Sequence, residues 1–203
     1  MHAHPHGHRR YDLAEMETAE RLITADEFLA REFDDRFREL INGRVVVTQP
    51  LIPHQTIVGR IYLALGNWVN AELGRGYVWL PLDTKIDDYN VLGPDIVWVA
   101  QEHLPPRGSK YMVHAPELVV EVRSPSTWNR DVGVKKNLYE RHGVRELWLV
   151  DDRSSSVLRY RRSGEGTDAG FDEGAEIAAP GTVTSPQLPG FELDLNALFA
   201  PAF

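Results

Sequence analysis

A glutamate set inside a run of valines constrains this chain more than any other feature. In Glu117-Leu118-Val119-Val120-Glu121-Val122-Arg123 the pattern is that of an apolar strand. Alternation puts Glu121 on one face with Glu117, Val119 and Arg123. Nothing local would solvate Glu121, and a carboxylate in such a place must be paired or bound to a metal. A similar break opens the preceding strand, Pro94-Asp95-Ile96-Val97-Trp98-Val99. There Asp95 shares a face with Val97 and Val99, while Ile96 and Trp98 take the other. Taken alone, Asp95 is a turn residue beside a proline. Taken with Glu121, it makes two carboxylates on consecutive strands that can converge on one divalent cation. Hard cations such as Mg²⁺ take oxygen ligands, and usually only one or two protein carboxylates. The chain has no cysteine and no paired-histidine motif, which argues against zinc.

The segment Trp128 to His142 follows with helical periodicity. At about 100° per residue, Trp128, Asp131, Val132, Val134, Lys135, Leu138, Tyr139 and His142 fall on one half. Lys135 sits near the centre of that inward half, and Lys136 points towards solvent. A lysine in a buried stripe demands a counter-charge. Either the carboxylates of the preceding strands or Asp131, one turn earlier, would supply it.

The rest of the chain is consistent with one α/β domain. Its 203 residues, 42% hydrophobic, suffice for a single core without disulfide or metal support. The lack of cysteine fits a reducing cytoplasm, and no apolar run is long enough to span a membrane. The first ten residues, MHAHPHGHRR, lack the apolar core of a signal peptide. Residues 1–20 read as a disordered, His-rich leader and 21–203 as the domain. A net charge of −8 argues against wholesale coating of nucleic acid. It leaves room for a small metal-assisted site that handles phosphate.

Thr24 with Glu27 forms a capping-box pattern for a short helix ending at Ala30. Asn42-Gly43 predicts a tight hairpin between Phe37–Ile41 and Arg44–Thr48. Gln55 to Leu73 is the longest helical pattern. Strands are expected over Tyr77–Leu82, Asp95–Ala100, Glu117–Val122 and Glu146–Val150, with Val157–Arg161 paired to the last. Ser163 to Glu176 reads as a surface loop, and Leu195 to Phe199 as a helical turn. Interleaved strands and helices of this kind favour a mixed sheet.

Other residues bear on chemistry. His54, at the start of the long helix, lies on the side of Ile57 and Val58 and should face inward. Glu39 lies in the first hairpin strand, where a surface position is the simpler expectation. Asp83 reads as a loop residue near the site rather than a ligand. Ser124-Pro125-Ser126-Thr127 offers hydroxyls and an N-cap to the following helix, whose N-terminus could help hold a phosphate. There is no GxSxG elbow and no phosphate-cradling glycine motif. Nor is there a helix-turn-helix, zinc finger or basic arm to read bases.

The ordered set Glu39-Leu40-Ile41-Asn42-Gly43, His54, Pro94-Asp95-Ile96, Val119-Val120-Glu121-Val122, Ser124-Pro125-Ser126, Lys135 to Tyr139 and Gly143 to Asp151 resembles the Uma2 family. Its members are described as restriction endonucleases within the PD-(D/E)XK nuclease superfamily. The similarity runs from about Leu22 to Phe199. The resemblance implies a restriction-endonuclease-like mixed sheet flanked by helices, in one domain. It implies a DNA substrate and Mg²⁺ or Mn²⁺ as cofactor, with Asp95 and Glu121 as metal ligands. Glu39 would match the acidic residue that the superfamily supplies from an earlier element, and Lys135 the catalytic lysine. His54 and Tyr139 would support the site. Arg123 stands two residues after Glu121, where the simplest superfamily pattern has lysine, and is the alternative cation. A homodimer cutting both strands is consistent with one small domain. The rival reading is a non-catalytic protein that binds nucleic acid or protein and retains the nuclease fold.

Overall fold

A computed structural model describes residues 21–32, 37–164 and 170–201. The His-rich leader expected over residues 1–20 lies outside these.

The first helix, α1 (Ala25–Ala30), starts as its capping box dictates. The Thr24 hydroxyl accepts from the Glu27 N–H and the Glu27 carboxylate from the Thr24 N–H. Strands β1 (Arg38–Ile41) and β2 (Arg44–Val47) form the predicted antiparallel hairpin. Asn42 and Gly43, with φ of 50° and 73°, occupy the left-handed region that the turn requires. The long helix α2 (Ile52–Asn70) begins three residues earlier than its periodicity predicts. Pro53 near its N-terminus explains the shift, since proline is well placed in a first helical turn.

Strand β3 (Tyr77–Trp79) is shorter than expected. It is followed by two strands that hydrophobic alternation does not reveal, β4 (Thr84–Asp87) and β5 (Asn90–Leu92). These form a second hairpin beside β1, giving an antiparallel sheet in the order β2-β1-β5-β4. Next come β6 (Ile96–Val99) and β7 (Leu118–Val122). The following helix starts as α3 (Trp128–Arg130), passes through a π-helical turn at Asp131–Lys135 and continues as α4 (Lys136–His142). Gly143, at φ 96°, ends it. Strands β8 (Glu146–Asp151) and β9 (Ser156–Arg161) pair antiparallel as predicted. The expected loop over Ser163–Glu176 is partly strand, because β10 (Glu173–Ala178) pairs along the whole of β9. The short β11 (Thr182–Val183) and β12 (Leu193–Asp194) pair before α5 (Leu195–Phe199).

The main sheet has the order β10-β9-β8-β7-β6-β3. Only β7 and β8 run parallel. That follows from the helical crossover between them, the connection a parallel pair needs. One face of the sheet, with Ile96, Trp98, Leu118, Val120, Val122 and Trp148, packs against Ile57, Ile61 and Leu65 of α2 and against α5. The other, with Val97, Val119, Leu147 and Leu149, meets Leu138 and Tyr139 of α4 and Ile41 and Leu92 of the smaller sheet. Glu121 belongs to this second face. Its carboxylate is therefore enclosed by the crossover helix on one side and the smaller sheet on the other.

Gly76 shows how tightly the sheet edge is built. Its φ is 75°, and a Cβ there would lie 1.9 Å from the Val99 carbonyl oxygen. Gly74 has φ 87° and nothing within 4 Å of a Cβ. Gly74→Ala should destabilise by about 1–2 kcal/mol, the price of a left-handed alanine. Gly76→Ala should destabilise by about 3 kcal/mol or more, because the collision adds to that strain. Urea titration of both variants checks the ordering.

Candidate active site

Two strand ends, one helix and the first hairpin deliver the charged residues to one place. The antiparallel register pairs Ile96 with Val120 and Val97 with Val119. Continued by one residue, it sets Asp95 across from Glu121. The Asp95 Oδ2 atom accepts the main-chain N–H of Val122 at 2.7 Å and lies 3.1 Å from Nε2 of His54. Glu121 Oε1 accepts from the Tyr139 hydroxyl at 2.5 Å and from Lys135 Nζ at 2.6 Å. The same ammonium lies 2.8 Å from Glu39 Oε1 and 3.5 Å from Asp131 Oδ1. Glu39 Oε1 also accepts the Gly93 N–H at 3.0 Å, which ties the smaller sheet to the site.

The lysine and the two glutamates lie out of water, while Asp95 is partly exposed. Lys135 is 4% exposed, Glu121 4% and Glu39 5%. Burial pushes the Glu121 carboxyl well above the ordinary carboxylate range, against the attraction of Lys135 and with the added repulsion of Asp131, Asp95 and Glu39. Asp131 is raised in the same way, burial again outweighing Lys135. Burial alone would discharge Lys135, yet Glu121, Glu39 and Asp131 outweigh it and hold the ammonium well above its usual value. The Tyr139 phenol is also pushed well up, by burial and then by Glu121, so it stays a donor.

A cleft of about 300 Å³ opens onto this cluster. Glu39, His54, Asp83, Asp95, Glu121, Asp131 and Lys135 all line it, as do Ser124 and Thr127 at the start of the crossover helix. The expected N-cap there takes another form. The Thr127 side chain makes no cap bond and donates instead to Asp131 Oδ2 at 2.8 Å. The surface position expected for Glu39 is also replaced by burial against Lys135. Arg123, the alternative cation, goes elsewhere. Its Nη1 donates to Asp151 Oδ2 at 2.6 Å and its guanidinium lies over the Trp128 ring. Lys136 is less exposed than its place on the wheel suggests, lying over the rings of Tyr160 and Phe171. Both proposed neutralisers of Lys135 contribute, the strand carboxylates most closely.

Asp131 is the residue of the cluster that sequence reasoning placed only as a partner of Lys135. Asp131 and Lys135 open and close the π-helical turn, and both line the cleft. Gly133 lies within that turn.

The donor set suits a hard cation. Asp95 Oδ1 and Glu121 Oε2 lie outside the contacts described above, and both residues line the cleft. Among the described residues no three His, Asp or Glu side chains are gathered for a metal. An ion here would rest on two carboxylates completed by main chain, water and phosphate, the ligand set that Mg²⁺ accepts.

A mixed sheet with this arrangement belongs to the restriction-endonuclease-like α/β class. The model of the family Uma2, described as "Putative restriction endonuclease", matches residues 25–196, and the chain belongs to that family. It is also similar in structure to a protein from Anabaena variabilis described as "a putative nuclease belonging to DUF820". The TM-score is 0.75 at 22% identity, over 87% of this chain and 97% of the other. No curated protein matches the chain. Among the described residues no helix is long and apolar enough to cross a membrane.

The cluster has a thermodynamic signature. A carboxyl whose pKa is raised by folding stabilises the folded state below its unfolded value, and that contribution is lost as pH rises through the folded value. Glu121 and Asp131 therefore make stability in EDTA fall as pH rises above the ordinary carboxylate range. The contribution of Lys135, also raised, persists until pH passes its usual range near 10.4. Lys135→Met should lower stability by about 3–5 kcal/mol at neutral pH and steepen the decline towards high pH. Thermal melts taken as pH rises check both effects.

Proposed function

We propose that this chain is a divalent-metal-dependent endonuclease that hydrolyses phosphodiester bonds in DNA. One observation carries the reading: Asp95 and Glu121, on neighbouring strands, share a cleft with a lysine that is charged and almost wholly buried. Asp95, Glu121 and a main-chain carbonyl at Val122 would hold Mg²⁺ or Mn²⁺. When bound, such a cation lowers the pKa of its water and offsets charge on the scissile phosphate.

The remaining roles fall to the chain itself. Lys135 orients the attacking water and stabilises negative charge growing on the phosphoryl oxygens. Its ammonium keeps the proton, since three carboxylates surround it. Glu39 and Asp131 hold Lys135 in place, and Tyr139 fixes the Glu121 oxygen that faces the lysine. His54 and the Val122 N–H fix Asp95 by one oxygen, which leaves the other for the cleft. Arg123, committed to Asp151, is a structural cation in this reading.

Asp95→Ala and Glu121→Ala should lower Mg²⁺- or Mn²⁺-dependent cleavage of plasmid DNA by about 10²-fold or more, with the circular dichroism spectrum retained. Lys135→Met should lose cleavage and Arg123→Met keep most of it. Acid-to-alanine variants that cut as well as the parent would contradict the assignment. Loss confined to Arg123→Met would transfer the lysine's role to Arg123. Parallel assays on single-stranded DNA and RNA define the substrate, and binding without cleavage would favour the non-catalytic reading.

A further inference from the structure

The chain has only four lysines, at positions 85, 110, 135 and 136. Three are committed to carboxylates. Lys85 pairs with Asp26 at 2.7 Å, Lys135 with Glu121 and Glu39, and Lys136 with Glu140 at 3.4 Å. Lys110 is exposed and its ammonium makes no ion pair among the described residues. It nevertheless lines the same cleft as Glu39, Asp83, Asp95, Glu121 and Asp131. Lys110 therefore stands at a cleft lined by acids without being tied to a carboxylate among the described residues.

The loop holds it there. Upstream, a turn is closed by the Ser109 N–H and hydroxyl donating to the Pro106 carbonyl, with Gly108 at φ 88°. Downstream, Met112 is buried and bridged to Thr84. Its N–H donates to the Asp83 carbonyl, and its own carbonyl accepts from Lys85, each at 2.8 Å. Lys110 lies between these two fixed points, so its main chain has little freedom to leave the cleft edge.

Electrostatics gives the position a task. A nucleic acid strand approaching this cleft meets a protein of net charge −8 and a wall of carboxylates. Of the cationic Lys and Arg side chains in the lining, Lys135 is buried and already offset by Glu121, Glu39 and Asp131, and Arg38 lies over the Phe28 ring and acts on Asp83. We infer that Lys110 is a substrate-binding residue that contacts a backbone phosphate of the strand entering the cleft. The inference rests on the nuclease reading and goes beyond it by naming the residue that offsets the cleft's acidity towards its substrate.

The test measures binding of a short fluorescein-labelled DNA duplex in Ca²⁺, across a range of salt, and of a single strand of the same length. Lys110→Ala should weaken binding about equally for unrelated sequences. It should also flatten the slope of log K against log salt by about 0.9 on duplex, or about 0.7 on single strand. Lys110→Arg should keep the parent slope, and Lys85→Ala, which removes the same charge outside the cleft lining, should leave it unchanged. Bound DNA should protect Lys110 from reductive methylation. An unchanged slope in Lys110→Ala, or Lys110 methylated equally with and without DNA, overturns the inference while the nuclease reading stands. A parent protein that binds neither DNA form nor RNA overturns both.

Discussion

One ammonium group, almost fully enclosed, has to neutralise a site that gathers more negative charge than it can balance. Lys135 lies within ion-pair distance of Glu121, Glu39 and Asp131, and Asp95 stands beside them. The attraction of a single buried cation to several carboxylates keeps it charged, but leaves acid in excess. Such an imbalance is costly in an apolar interior, and the proposed divalent cation would offset it. The rest of the architecture can be understood as the means of holding this unbalanced set together. Strands β6 and β7 set the two acids opposite each other, the crossover helix returns over β7 with the lysine, and the smaller sheet brings Glu39.

Three residues of the candidate site were legible in the sequence because each violates the pattern around it. Glu121 interrupts valines, Asp95 heads an apolar strand, and Lys135 occupies the centre of an inward stripe. Fold class followed from the alternation of strands and helices, and local chemistry placed the Thr24 capping box and the Asn42-Gly43 turn. The enclosure of Glu39 was not legible, since a glutamate in a four-residue hairpin strand looks the same whether its face meets solvent or a second sheet. Only the tertiary approach of β1 to the helix decides that.

Other features escaped for reasons of the same kind. Strands β4 and β5 are too short and polar, with Asp87, Asp88 and Asn90 at their turn, to show alternation. They are held by pairing with β1 and by the Met112 bridge rather than by their own pattern. Strand β10 is largely exposed and acidic, so its register with β9, not its hydrophobicity, defines it. The π turn at Asp131–Lys135 is invisible to a 100° wheel, which nonetheless sorted inward from outward residues correctly there because the insertion spans only one turn. The engagement of Arg123 with Asp151, a contact distant in sequence, leaves Lys135 as the cation within the cluster.

The central claim is that Asp95 and Glu121 form a shared oxygen site for a divalent ion, with Lys135 beside it. Anomalous diffraction from crystals equilibrated with Mn²⁺ tests this without any assay of activity. The account predicts one peak between the carboxylates of Asp95 and Glu121, lost in Asp95→Asn. A peak on other residues, or none in this cleft at saturating Mn²⁺, would contradict it.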